Sequence, residues 1–149
     1  MASSVVLITR WGVYHWKDFR FPDKSKNKFW IALVCKIVDP KSNSNITIPS
    51  LLPTSRWDKY ENNRKRLIDT VVLEPYESKF FKKKTVVDIK NIFFVREQEV
   101  FEAVQKNKLV YIGTLEENIV KKIEKTIRNA ETLSRKDIKM LLCESTVPE

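Results

Sequence analysis

The chain has one histidine, His15, and this is its only side chain whose ordinary pKa suits proton transfer near neutrality. It stands among aromatics in GVYHW, where a structural or surface role competes with an acid–base role. Cys35 and Cys143 have no CxxC spacing and no second histidine near them, so no zinc set forms and no metal or other cofactor is expected. Unpatterned cysteines of this kind suit a reducing cytoplasm, where they pack as small apolar side chains. The richer chemistry is cationic. The 28 Lys and Arg against 19 Asp and Glu leave a formal charge of +9, which points to a polyanionic partner more than to a merely dispersing surface. The cations cluster at Lys24, Lys26 and Lys28, in NRKR, and at Lys82, Lys83 and Lys84. Trp57, Tyr60, Tyr76, Phe80 and Phe81 are interleaved with them. Cations that hold a phosphate backbone beside rings that stack bases are the usual means of gripping single-stranded nucleic acid, although each ring could equally belong to a core.

These groups need a scaffold. At 149 residues with 42% hydrophobic content, the chain reads as a single domain over 1–149 with a real core. With only two glycines, any left-handed turn positions must fall to Asn and Asp. Residues 12–19 and 29–38 read as two strands joined by a polar, lysine-bearing loop, forming a hairpin. Further short strands are expected at 46–48, 70–73, 85–88, 92–95 and 109–112, with a helix or ordered loop in SRWDKYENNRKRLID and a helical turn or two in REQEVFEAVQ. From Leu115 the period changes. Leu115, Ile119, Ile123 and Ile127 recur every four residues, which predicts an amphipathic helix with Lys121, Lys122 and Lys125 on its solvated face. Thr114 with Glu117 has capping-box spacing, and Ser134 with Asp137 predicts the start of a second helix through Leu142. No repeat is visible. The apolar patch in MASSVVLITRWGVYHW is too short to span a bilayer and carries no export signature, so neither membrane insertion nor secretion is expected.

The ordered series GVYHWKDFRFPDKSKNKFWIALV, LLPTSR, TVVL, VVDIKNIFFV and YIGTLEENIVKKIEKTI resembles the PemK/MazF family of toxin-like proteins over residues 12–133. The matching features are Gly12, Asp18-Phe19, the loop from Asp23 to Lys28, Ala32-Leu33-Val34 and Ile112-Gly113-Thr114-Leu115. The resemblance implies an α+β fold, mainly β: a small twisted β-barrel of the PemK/MazF, CcdB-like kind with a C-terminal amphipathic helix. Residues 134–149 would then be a helical extension or tail. It also implies a homodimer, metal-independent cleavage of single-stranded RNA, and an antitoxin protein as a possible partner. The family arginine and proline at the start of the second strand are replaced by Trp30 and Ile31, and indole can neither clamp a phosphate nor offset its charge as a guanidinium does. The family Ser/Thr position is filled by Thr54 and Ser55, with Arg56 following.

Cleavage through the substrate's own 2′-hydroxyl needs a base, a donor to the leaving oxygen, and positive charge at the phosphate. Thr54, Ser55, Arg56 and Lys28 are the candidate catalytic residues that the resemblance and this chemistry select, and Arg20 could also supply charge. Candidate RNA-binding residues are Arg20, Lys24, Lys26, Trp30, Trp57, Lys82, Lys83 and Lys84. Trp30 would stack a base if it faced outward. The three loop lysines would make a basic flap beside an RNA groove, or else simply discourage edge-to-edge pairing. Thr54 and Ser55 could equally be turn formers after Pro53. Two further functions stay open: a nucleic-acid-binding regulator that has lost cleavage, and a protein-interaction module.

Overall fold

The computed structural model describes residues 8–18, 28–34 and 47–144. Its contacts gather into two compact units, residues 1–50 with 93–114 and residues 51–92 with 115–149.

The first unit is built on a five-stranded sheet. Its strands are β1 (Gly12–Trp16), β2 (Lys28–Ala32), β3 (Thr47–Leu51, whose last residue falls in the second unit), β6 (Phe93–Arg96) and β7 (Leu109–Thr114), in the order β6-β3-β2-β1-β7. β1 and β2 form the expected antiparallel pair, with Val13 opposite Ile31 and His15 opposite Phe29. The other flank of β1 pairs antiparallel with β7, with a register shift between Val13 and Tyr14. β6 runs antiparallel to β3, and the Leu33 N–H donates to the Pro49 carbonyl at 2.9 Å. Helix α2 (Glu97–Gln105) follows β6 directly and returns the chain to β7 through the Lys108 N–H on the Ala103 carbonyl.

Alternation puts Tyr14, Trp16 and Trp30 on one face of the sheet, where they form a row of tilted and edge-on rings: Trp16 to Trp30 at 5.4 Å, Trp30 to Tyr14 at 5.3 Å, and Tyr14 to Tyr111 at 5.4 Å. Gly12 is required beneath this row. A Cβ there would lie 2.7 Å from Tyr14 Cε1 and 3.0 Å from the Thr9 carbonyl oxygen. Val13, Ile31, Ala32, Leu33, Ile48 and Val95 are among the other buried apolar residues of this unit.

The second unit pairs β4 (Thr70–Leu73) with β5 (Thr85–Asp88), with Val71 opposite Val87 and Leu73 opposite Thr85. It also holds the short α1 (Arg64–Leu67), α3 (Glu117–Arg128) and α4 (Arg135–Leu141). The isoleucine stripe behaves as its spacing predicts: Leu115, Ile119, Ile123 and Ile127 are buried while Lys121, Lys122 and Lys125 are exposed. Ser134 accepts from the Asp137 N–H at 3.1 Å and caps α4 as expected.

The expected capping box at Thr114 does not form. Thr114 is the last residue of β7, where its hydroxyl meets that of Tyr111 at 2.7 Å, and α3 begins two residues later than that box would start it, behind Glu116. Glu116 is employed elsewhere, accepting from the Ser78 hydroxyl and the Lys79 N–H.

The fold is α+β, with a mostly antiparallel sheet and several helices. Among the described residues the sheet does not close into a barrel, since β6 and β7 are its two edges. Four of the six described residues with positive φ are Asp18, Asn62, Asp69 and Asn107, as a chain poor in glycine requires; the others are Trp11 and Cys143. Cys143 is disulfide-bonded and so is not the apolar thiol expected, which removes the cysteine argument for a reducing compartment; Cys35 lies outside the described residues. Among the described residues no helix is long and apolar enough to cross a membrane.

Candidate nucleic-acid interface

The sequence candidates converge in the second unit, around one side of β5. Thr54 forms an isolated antiparallel bridge with Val86: the Thr54 N–H donates to the Val86 carbonyl at 3.0 Å and the Val86 N–H donates back at 2.8 Å. β5 therefore has β4 on one flank and the PTSRW segment on the other. Past the bridge the chain folds into a tight turn. The Arg56 N–H donates to Thr54 Oγ1 at 3.2 Å, and the Trp57 N–H to the Ser55 carbonyl at 2.9 Å. Residues 57–59 then make one turn of 3-10 helix, closed by the Tyr60 N–H on the Trp57 carbonyl. Thr54 thus does what a turn-forming threonine does after a proline, with its oxygen engaged by the backbone two residues on.

The side chains presented by this turn are polar and cationic. Ser55 and Arg56 are exposed, and Arg56 Nε lies 3.4 Å from Asp58 Oδ1. Trp57 is half-buried, and the Lys84 ammonium stands 4.0 Å from its ring centroid, close enough for a cation–π contact. Lys84 also reaches Glu74 Oε1 at 3.3 Å. Lys82 and Lys83 are exposed just before β5. Arg56, Trp57, Lys82, Lys83 and Lys84 therefore belong to one stretch of surface, ordered by a single backbone bridge.

The turn is anchored from beneath. The Tyr60 hydroxyl donates to Asp88 Oδ2 at 3.0 Å, and Asp88, itself buried, also accepts from the Lys90 N–H at 3.0 Å and from Asn91 Nδ2 at 3.1 Å. The Lys90 ammonium pairs with Asp88 Oδ1 at 3.0 Å and donates to the Arg66 and Ile68 carbonyls. Burial, followed by the charge and hydrogen bond of Asp88, pushes the Tyr60 phenol up to about 12. The NRKR cluster becomes a short exposed helix whose N-cap, Asn63, accepts from the Arg66 N–H.

Two further candidates, Trp30 and His15, belong to the first unit. Trp30 has no exposed surface; its ring is held between Tyr14 and Trp16, so the outward position that base stacking needs is not the one it takes. It is core because its side chain lies on the same covered face as those rings. His15 is half-buried and meets the Phe29 ring edge-on at 5.7 Å, a structural setting. Of the interleaved aromatics, Tyr60, Phe80 and Phe81 are buried while Tyr76 is 86% exposed. Arg20, Lys24 and Lys26, and with them most of the proposed flap, lie outside the described residues, as does the side chain of Lys28.

Sequence reasoning missed Glu74. The signal was present in the register: with Leu73 opposite Thr85, the next antiparallel pair is Glu74 and Lys84, an opposite-charge cross-strand couple. Among the described residues no group of three His, Cys, Asp or Glu side chains is placed to hold a metal ion. Neither the models of known protein families nor the curated proteins include a match to this chain.

Proposed function

We propose that this chain binds single-stranded RNA through the Arg56, Trp57, Lys82, Lys83 and Lys84 surface. The observation that carries the reading is the Lys84 ammonium 4.0 Å from the Trp57 ring, on a loop fixed to β5 by the Thr54–Val86 bridge. A cation for the phosphate and an indole for the base then act at one point, which is the minimal unit of sequence-tolerant single-strand binding. The net charge of +9 supplies the long-range attraction.

Cleavage is the second reading, and kinship with PemK/MazF-like endoribonucleases, with a homodimer and an antitoxin partner, belongs to it. Its support is local: Thr54 Oγ1 only accepts within the turn, so its proton remains free to be donated, and exposed Ser55 and Arg56 flank it. Against it stands Trp30, buried where that family carries an arginine. Binding is therefore the function we assign.

The test is titration of a long, mixed-sequence single-stranded RNA in EDTA, with salt varied and fragment ends mapped. Wild type is expected to shift the RNA, with log K falling by about 0.7 per phosphate neutralised as log salt rises. Replacing Lys82, Lys83 and Lys84 together by alanine should weaken binding and flatten that slope by about 2. A shallow wild-type slope, or a triple variant that binds unchanged, overturns the assignment. Discrete cuts that vanish in Thr54→Ala would raise the second reading above it.

A further inference from the structure

Lys84 is the centre of the proposed surface, yet its ammonium is already engaged, against the Trp57 ring on one side and 3.3 Å from Glu74 on the other. The backbone that carries this carboxylate is fixed. Glu74 follows β4 directly, and its backbone N–H donates to Glu77 Oε1 at 3.0 Å while its carbonyl accepts the Glu77 N–H at 3.0 Å. Pro75 stiffens the first residue of that turn, and Glu77 is itself held by the Lys122 ammonium. The β4–β5 register then places Glu74 opposite Lys84. An oxyanion is thus built into the position that an incoming phosphate would claim.

We propose that Glu74 sets the affinity of this surface, acting as an internal anion that holds Lys84 over Trp57 and that a nucleic-acid phosphate must displace. The inference rests on the RNA-binding assignment and deepens it. Displacement is feasible because the pair is open to solvent, with side-chain exposures of 34% for Lys84 and 38% for Glu74, and such pairs are weak. A backbone phosphodiester, which like the carboxylate offers two charged oxygens and one negative charge, competes for the same ammonium without moving the backbone. Glu74 is a positioning residue in this account. It touches Lys84 and need not touch RNA.

The experiment compares RNA titrations of wild type, Glu74→Gln, Lys84→Ala and the double variant, with Glu117→Gln as a control. Glu117 is exposed and pairs with Lys121 at 3.4 Å, so its variant makes the same change in net charge and also frees one lysine, but not the lysine on Trp57. Glu74→Gln is expected to bind about two- to fivefold more tightly than wild type, the range an exposed ion pair allows. Its salt slope should stay close to that of wild type, because Lys84 meets the same phosphate in both complexes. In the Lys84→Ala background the same change should do no more than Glu117→Gln does in wild type, as a double-mutant cycle requires when the effect passes through Lys84. Equal tightening by Glu74→Gln and Glu117→Gln, or unchanged affinity in Glu74→Gln while Lys84→Ala weakens binding, overturns this proposal and leaves the RNA assignment standing. Absence of RNA binding by wild type overturns both.

Discussion

The Tyr60–Asp88 hydrogen bond anchors the turn that carries Trp57, and Tyr60→Phe isolates its contribution. The variant removes one 3.0 Å bond to a buried carboxylate and nothing else, and Asp88 keeps the Lys90 N–H, the Asn91 amide and the Lys90 ammonium. A bond to a charged acceptor is worth about 1.5–3 kcal/mol, and the surviving donors spare Asp88 the penalty of an empty acceptor. The expected loss at neutral pH is therefore near the low end, about 1.5–2 kcal/mol. The same interaction can be read a second way, through its pH dependence. The phenol is held at about 12 in the folded chain against an ordinary 10.0. Below pH 10 the hydroxyl is protonated in both states and its contribution is complete. Above that the unfolded chain ionises first, so stability is lost as pH rises towards 12. At full value that difference is about 2.7 kcal/mol, and solvent near the phenol reduces it to about 1–2 kcal/mol; burial is its largest cause, so it sets the size of the alkaline loss and not the strength of the hydrogen bond. Urea unfolding of both proteins at pH 7, 9 and 11 checks both readings. The gap between them should be constant from 7 to 9 and narrow by 11, because only wild type has this proton to lose. A gap below about 0.5 kcal/mol at pH 7, or one that does not close at high pH, would refute the account.

Asp69 offers a test of opposite sign. It sits at φ 54° and accepts from the Glu131 N–H at 3.0 Å and from the Thr132 N–H and hydroxyl at 2.8 and 2.5 Å. Burial raises its carboxyl, but these hydrogen bonds outweigh it and the net direction is down from 3.8. Its contribution should thus be present above pH 4 and fade as acid passes through the lowered value, and Asp69→Asn should flatten this acid limb in thermal melts. Asp69→Ala should cost about 1–2 kcal/mol more than Asp69→Asn, because alanine tolerates the left-handed backbone poorly. Gly12→Ala, whose new methyl would collide with Tyr14 and the Thr9 carbonyl, should lower stability by about 1–3 kcal/mol and alter the near-ultraviolet circular dichroism of the aromatic row. Ser134→Ala should cost about 1 kcal/mol and speed amide exchange in the first turn of α4; unchanged exchange there would show that the cap is idle.

Elements governed by local pattern were legible in the sequence. The isoleucine period, the Ser134 cap, the 70–73 and 85–88 strands and the β1–β2 pair each depend on residues close together in the chain, and each forms. What escaped depends on non-local partners. Thr114 and Glu117 have the spacing of a capping box, but β7 keeps Thr114 in a strand and Ser78 claims Glu116, so tertiary partners overrode the local signal. Trp30 shows the same limit from the other side. A strand fixes which residues share a face but not whether that face meets solvent, and here the face is covered.

The candidate site falls between these cases. Its cations and Trp57 could be named from composition, whereas their grouping needed the Thr54–Val86 bridge, which no motif announces. Glu74 was within reach all the same. Once two strands are assigned and taken as antiparallel, their register is a prediction about side chains, and it sets this acid opposite the lysine on which the surface turns. Reading +9 as a sum conceals that arrangement. A basic surface is defined by which of its cations are already neutralised, and at Lys84 the neutralising group belongs to the protein.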